Sequence, residues 1–83
     1  MKSVVILGRA RAALLKHRNM ARRIKDKLDA SAADPGSSAN QVTELRGGTL
    51  KRMRIGDFRV LFEETDKEII VVDLGPRGKI YDR

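Results

Sequence analysis

Basic side chains are concentrated in one short stretch of the sequence, LKRMRIGDFRV at residues 50–60. Arg52 and Arg54 alternate with apolar residues before the Gly56-Asp57 dipeptide, and Arg59 follows it. Guanidinium groups bind phosphate oxygens through two parallel hydrogen bonds, and several of them together can stabilise the added negative charge of a phosphoryl transition state. Residues of this type at this spacing could therefore hold a phosphodiester.

This stretch also has the pattern of a β-hairpin in which Gly56-Asp57 forms a two-residue turn. Successive side chains point to opposite faces of a strand, so this register pairs Ile55 with Phe58 and Arg54 with Arg59. The apolar pairs are then expected on the face that the core covers. The arginines are expected together on the opposite face.

The opposed arginines have two interpretations. Like charges directly opposite each other destabilise a strand pair, which favours a bound anion between them. Alternatively, they are ordinary surface charges whose repulsion is relieved by Glu63 or by solvent, because surface ionic interactions contribute little. The last apolar strand favours the anion, since it ends at Gly75-Pro76 and is followed by Arg77 and Tyr81. Guanidinium groups and a phenol together can hold a phosphodiester and transfer a proton during its cleavage.

The composition points to a partner with negative charge. The chain has 83 residues, with 18 Lys and Arg against 11 Asp and Glu, a formal net charge of +7 and a pI near 10.4. Such a basic protein is expected to bind nucleic acid or an acidic protein. With two Phe, one Tyr and no Trp, it is not expected to stack the bases of a single strand on aromatic rings.

Several other kinds of site are not expected. The chain has no Cys and one histidine, His17, so it offers no pattern for a metal site, and no cofactor is expected. His17 is interpreted as a solvated residue near a helix end. The apolar run at residues 4–7 is interrupted by Arg9 and Arg11, which makes it too short for a signal sequence or a membrane span. We therefore expect a cytoplasmic protein that does not contact a membrane.

The elements predicted around these residues give one α+β domain that covers residues 1–83. Its N-terminal strand and a two-helix hairpin, whose charged side is interpreted as solvated, pack with an antiparallel or mixed β-sheet. Asn19 is expected to cap the second helix. The last strand is apolar on both faces, as an interior strand is. The predicted elements are a strand at 3–7, helices at 9–18 and 20–33, and strands at 42–45, 49–55, 58–64 and 68–74.

The sequence resembles the RelE/ParE superfamily of toxins from type II toxin–antitoxin systems over nearly its whole length. The specific part is residues 43–83, in which a glycine loop, a basic strand, GDFRV.F, an apolar strand and G.R...Y follow in order. The resemblance implies the RelE-like small ribonuclease fold. It also implies a ribosome-dependent endoribonuclease, an mRNA interferase in which the ribose 2′-OH attacks the adjacent phosphate. The expected ends are a 2′,3′-cyclic phosphate and a 5′-OH.

The resemblance assigns roles to particular residues. Arg59 and Arg77 are expected to hold the scissile phosphate, and Tyr81 is the candidate for proton transfer. The substrate-binding candidates on the basic strand are Lys51, Arg52 and Arg54. Some family members have lysines at the positions of Arg52 and Arg54. An arginine stays charged and is a poor proton donor, so if those lysines serve acid–base chemistry in the family, the mechanism here is expected to shift or weaken.

Other functions and partners follow from the same resemblance. ParE-type relatives share the fold but inhibit DNA gyrase by binding, and the combination of Arg77 with Tyr81 favours the ribonuclease over that alternative. A third possibility is a module that binds its own operator DNA without cleavage. The expected partners are the ribosome, mRNA and a small acidic antitoxin that folds on the toxin as a helix or an extended segment. Contact with ribosomal RNA is the alternative to interpreting the charged side of the second helix as a solvated surface. Operator DNA is expected to bind only through the antitoxin complex.

Overall fold

A computed structural model describes residues 2–34, 36, 42–44 and 50–76, and these contain two helices and five strands. Their order confirms the prediction of a strand, two helices and an antiparallel meander. The elements are β1 (Ser3–Ile6), α1 (Gly8–Lys16), α2 (Arg18–Ala33), β2 (Val42–Glu44), β3 (Leu50–Ile55), β4 (Phe58–Glu64) and β5 (Glu68–Pro76).

The strands form a mixed sheet in the order β1-β5-β4-β3-β2. β1 pairs in parallel with β5, and the other pairs are antiparallel. β5 therefore has a neighbour on each side, which confirms that it is an interior strand. The predicted α+β fold, with two helices on a sheet that includes the N-terminal strand, is confirmed.

Both helices pack on the same face of the sheet, and the alternation of side chains along each strand sets which residues they bury. On β4, Phe58, Val60 and Phe62 are buried, whereas Arg59 and Leu61 between them are only half-buried. Each large apolar side chain that is buried contributes about 1.5–3 kcal/mol to folding. The helices contribute Ala10, Leu14, Ile24, Leu28 and Ala32 to this core.

The break between the helices lies at His17, whose backbone leaves the helical region (φ −118°, ψ 59°). Its N–H donates to the carbonyl oxygens of Ala13 and Leu14, and its half-buried ring packs edge-on against Phe58 with the centroids 5.0 Å apart. α2 then begins at Arg18 without a side-chain cap. The prediction that Asn19 caps this helix was wrong, because the packed His17 ring fixes the break earlier. No helix in the described ranges is long and apolar enough to cross a membrane.

The turns of the meander are where the sequence predicts them. Gly56 and Asp57 connect β3 to β4. The hydroxyl oxygen of Thr65 accepts hydrogen bonds from the N–H groups of Lys67 (3.2 Å) and Glu68 (2.9 Å), which closes the turn between β4 and β5. Within β4, the register of the pairing with β5 shifts between Leu61 and Phe62. Such a bulge bends the sheet locally and increases its twist.

Candidate nucleic-acid interface

The β3–β4 hairpin has the predicted register, with Ile55 paired to Phe58 and Arg54 paired to Arg59. Gly56 has a φ of +58°, a left-handed conformation that two-residue hairpin turns use and that residues with a Cβ rarely adopt. The backbone therefore sets Arg54 and Arg59 directly opposite each other. In such pairs the Cβ atoms are about 4.5–5.5 Å apart.

The face of the sheet that carries these arginines is opposite the core, and neither helix covers it. Arg54 is exposed there, and Arg52 and Arg59 are half-buried. Neither Arg54 nor Arg59 forms an ion pair with a carboxylate of the described residues. Their charges are therefore available to an anion that approaches from solvent. We call this pair the opposed arginines.

Lys51 lies on the other face of β3, so the structure does not bring it together with the opposed arginines. Its ammonium group donates to Glu64 Oε1 at 2.7 Å, and the Lys2 ammonium group donates to Glu64 Oε2 at 2.7 Å. The hydrogen bond from Lys2, which has the larger effect, and the hydrogen bond from Lys51 hold the pKa of Glu64 below its ordinary value of 4.5. Burial acts in the opposite direction and raises this pKa. The positive charge of Lys51 is thus compensated within the fold.

The carboxyl end of β5 lies beside the opposed arginines. Gly75 pairs with Arg59, and Pro76 pairs with Phe58. The two other catalytic candidates, Arg77 and Tyr81, lie outside the described residues. Their roles stay predictions.

Two basic residues of α2 lie at the hairpin turn, although the sequence favoured a solvated helix surface over one that contacts ribosomal RNA. Arg23 and Lys27 line a pocket of about 330 Å³ together with Arg54, Ile55 and Gly56. Residues four apart project from the same side of a helix, so the spacing of Arg23 and Lys27 was visible in the sequence. The surface that this side meets depends on how α2 packs on the sheet, which the sequence does not show.

Residues 4–81 match a sequence model of the family described as the ParE toxin of the type II toxin–antitoxin system parDE. The chain belongs to the ParE toxin family. This confirms the predicted membership of the RelE/ParE superfamily, and it makes the protein a toxin of a type II toxin–antitoxin system.

Chains from toxin–antitoxin complexes are similar in structure to this ParE-family toxin. One is from the archaeal RelE–RelB complex of Pyrococcus horikoshii OT3: it is 29% identical, with 95% of this chain and 98% of that chain covered and a TM-score of 0.76. Another is from the toxin–antitoxin complex RelBE2 of Mycobacterium tuberculosis: it is 20% identical, with 92% of this chain and 98% of that chain covered and a TM-score of 0.72. These similarities confirm the RelE-like fold. Among curated proteins no match was found.

A second surface of this ParE-family toxin is an apolar groove between the two helices and β1, with a volume of about 860 Å³. Its apolar lining consists of Val4, Ile6, Leu14, Leu15, Ala21 and Leu28. Leu15 is 64% exposed, so the groove presents apolar surface to solvent. The charged groups that line it are mostly basic, with Lys2, Arg11, Arg18 and Lys25 against Asp29. An amphipathic helix with acidic flanks would complement both properties.

Proposed function

We propose that this toxin is a ribosome-dependent endoribonuclease that cleaves mRNA and thereby inhibits translation. The observation that supports this most strongly is the pair of opposed arginines on the uncovered face of the sheet. Arg54 and Arg59 can donate hydrogen bonds together to the nonbridging oxygens of one phosphodiester. A bound phosphate would also relieve the repulsion between the two guanidinium groups.

The proposed reaction is an internal transesterification. The ribose 2′-hydroxyl loses its proton to a base as its oxygen attacks the adjacent phosphorus, the bond from phosphorus to the 5′-oxygen breaks, and the leaving 5′-oxygen takes up a proton. This yields a 2′,3′-cyclic phosphate and a 5′-hydroxyl end. The transition state carries more negative charge on its nonbridging oxygens than the ground state does, so Arg59 and Arg77 would stabilise it preferentially. Tyr81 would transfer a proton, and Arg52 and Arg54 would position the RNA.

Cell-free translation with purified toxin, followed by primer extension on the mRNA, tests this proposal. The wild-type toxin should create new 5′ ends that require ribosomes, and Arg59→Ala, Arg77→Ala and Tyr81→Phe should lose them. Lys67→Ala, which removes an exposed charge from the β4–β5 turn, is the matched control. Intact mRNA with wild-type toxin would contradict the ribonuclease. Cleavage that survives all three substitutions would retain the ribonuclease and reject these residues.

Inhibition of DNA gyrase is the second candidate function, because the matching family is described as the ParE toxin. In that case the basic surface would bind the enzyme or its DNA, and no RNA would be cut. A gyrase supercoiling assay with the same purified toxin separates the two functions. Loss of supercoiling without cleavage of mRNA would establish this second candidate in place of the first.

The proposed partner of the apolar groove is a helix of the cognate antitoxin. The basic residues around the groove complement an acidic chain, and the exposed Leu15 offers an apolar contact. A disordered antitoxin segment that folds on binding would bury this surface. We infer that the complex, and not the toxin alone, binds operator DNA. Because mRNA is translated in the cytoplasm, we place the toxin there.

Exchange of one exposed leucine for an acid tests the position of the antitoxin. Leu15→Glu should weaken binding of the cognate antitoxin by at least about tenfold, because it places a charge in an apolar contact. Leu7→Glu is the control, since Leu7 is also exposed, at 43%, but does not line the groove. Equal effects of the two substitutions, measured by isothermal titration calorimetry, would place the antitoxin elsewhere.

A further inference from the structure

The pocket at the hairpin turn is built from two parts of the chain that are far apart in sequence. Arg54 lies on β3, whereas Arg23 and Lys27 lie on α2. The volume of about 330 Å³ is at the lower end of the range of roughly 300–1,000 Å³ that is usual for ligand sites. Among the described residues, the polar side chains of its lining are all cationic, and the other lining residues are Ile55 and Gly56.

The turn itself brings Arg23 close to the hairpin. A Cβ at position 56 would lie 3.3 Å from Arg23 Nη1 and 3.5 Å from Arg23 Cζ, so the guanidinium group rests against the turn where glycine has no side chain. The positive φ of Gly56 and this close contact occur at the same residue. Arg23 is itself exposed, so its guanidinium group lies close to the turn and remains accessible from solvent.

The cations of the pocket lack compensation within the described part of the chain. There, Arg23, Lys27 and Arg54 form no ion pair with a carboxylate. Asp26 lies with Arg23 and Lys27 on a neighbouring surface of α2, but it makes no ion pair with either. Three guanidinium and ammonium groups around a concave surface attract an anion, and guanidinium groups favour the oxygens of phosphate.

We propose that this pocket binds a backbone phosphate of a single RNA strand, next to the phosphate that the opposed arginines hold. Arg54 belongs to both places, because it faces Arg59 across the hairpin and also lines the pocket. The RNA strand would thus continue from the uncovered face of the sheet, over the Gly56 turn, onto α2. This inference rests on the proposed function, since it takes RNA to be the substrate of the opposed arginines.

Oligonucleotide binding at a series of salt concentrations tests the pocket without any cleavage. The probe is a short single-stranded RNA that is 2′-O-methylated at every ribose, with fluorescence anisotropy as the readout. Each phosphate contact that is lost should lower the slope of log affinity against log salt by about 0.7 and reduce affinity several-fold at low salt. Lys27→Ala and Arg23→Ala should each have this effect.

Two matched controls remove the same charges outside the pocket. Lys67→Ala removes a lysine at the β4–β5 turn, which is at the other end of β4 from the hairpin turn, and Arg22→Ala removes the neighbour of Arg23 on α2. Neither residue lines the pocket, and both should retain the wild-type slope. Equal loss in Lys27→Ala and Lys67→Ala would overturn the proposal, because the effect would then be that of net charge.

Other outcomes separate the pocket from the proposed function. If the translation assay shows no cleavage but Lys27→Ala still lowers the slope for single strands, the phosphate pocket stands and the ribonuclease does not. If Lys27→Ala changes binding of duplex DNA or of the antitoxin but leaves the single-strand slope unchanged, the pocket serves a different ligand and the proposal is wrong. Unchanged binding of every probe would also overturn it.

Discussion

The two ends of the β3–β4 hairpin carry similar positive charge but differ in what compensates it. At the end away from the turn, Lys51 shares the Glu64 carboxylate with Lys2, and both hydrogen bonds are 2.7 Å long. At the turn end, Arg54 and Arg59 face each other and form no ion pair with a described carboxylate. One hairpin therefore separates charge that stabilises the fold from charge that is available to a ligand.

This difference has a simple physical origin. Glu64 is 16% exposed, so its carboxylate requires partners, and the two ammonium groups provide them. The guanidinium groups at the turn end are on the face that neither helix covers, where Arg54 is exposed and Arg59 half-buried, and their repulsion costs only several tenths of a kcal/mol. A protein can sustain that cost in the unbound state, and a polyanion removes it. The comparison predicts opposite effects of substitutions at the two ends.

The largest expected effect is on activity at the turn end. Arg59→Ala should slow mRNA cleavage by about 100-fold or more, because it removes a donor to the charge that develops in the transition state. The free energy of unfolding of the Arg59→Ala variant should differ from that of the wild type by less than about 0.5 kcal/mol. Lys51→Ala should instead leave cleavage almost unchanged. It should lower the free energy of unfolding by about 1 kcal/mol, because it removes the hydrogen bond to Glu64.

The two variants are compared by primer extension and by urea denaturation. Cleavage by Lys51→Ala is expected to stay within about threefold of wild type, since its charge is already compensated. If Lys51→Ala lost as much cleavage as Arg59→Ala, the division of the hairpin into a structural and a functional end would fail. The prediction from sequence that Lys51 binds substrate would then be supported.

The hairpin register is the part of this site that the sequence predicted best. Alternating side chains and a two-residue turn at Gly56 determine which residues face each other, so the Arg54–Arg59 pair follows from local pattern alone. The interior position of β5 was also predictable, because its apolar residues occur on both faces. These features depend on neighbours in sequence or on composition along one strand.

The parts that the sequence did not predict all depend on long-range packing. Lys2 and Glu64 are 62 residues apart, and nothing near either one indicates that they meet. Solvation was favoured over contact with ribosomal RNA for the helix surface that carries Arg23, because basic residues look the same in sequence whether they face water or a hairpin turn. The edge-on contact of His17 with Phe58 likewise requires the helices to be placed on the sheet.

At the other end of the hairpin, Glu64→Gln should lower the free energy of unfolding by about 1–2 kcal/mol at pH 7, through weaker hydrogen bonds to its two lysines. Because the folded-state pKa of Glu64 is lowered, its stabilising effect is fully present above 4.5 and is lost as the pH falls through the folded-state pKa. The stability difference between wild type and Glu64→Gln should therefore shrink as the pH falls below 4.5. Urea denaturation between pH 7 and pH 3 measures it, and a difference independent of pH would contradict this role.

The turn between β3 and β4 should tolerate only particular residues at position 56. Gly56→Ala should destabilise the protein by about 1 kcal/mol, because its φ of +58° is unfavourable for a residue with a Cβ. Gly56→Asn is the control, since asparagine adopts this conformation more readily and should cost less. Equal losses for the two substitutions in thermal or urea unfolding would mean that contact with Arg23, and not the backbone conformation, is responsible.

The smallest expected effect is a gain in stability at the turn end. Arg54→Gln should raise the free energy of unfolding by about 0.3 kcal/mol, because it removes a like charge directly opposite Arg59. The gain should decrease as salt screens the repulsion. Arg59→Gln should give a similar gain, and the double variant should gain less than the sum, which a double-mutant cycle at low salt can measure. Additive gains would mean that the two charges do not interact, and then no anion is needed to explain why both are present.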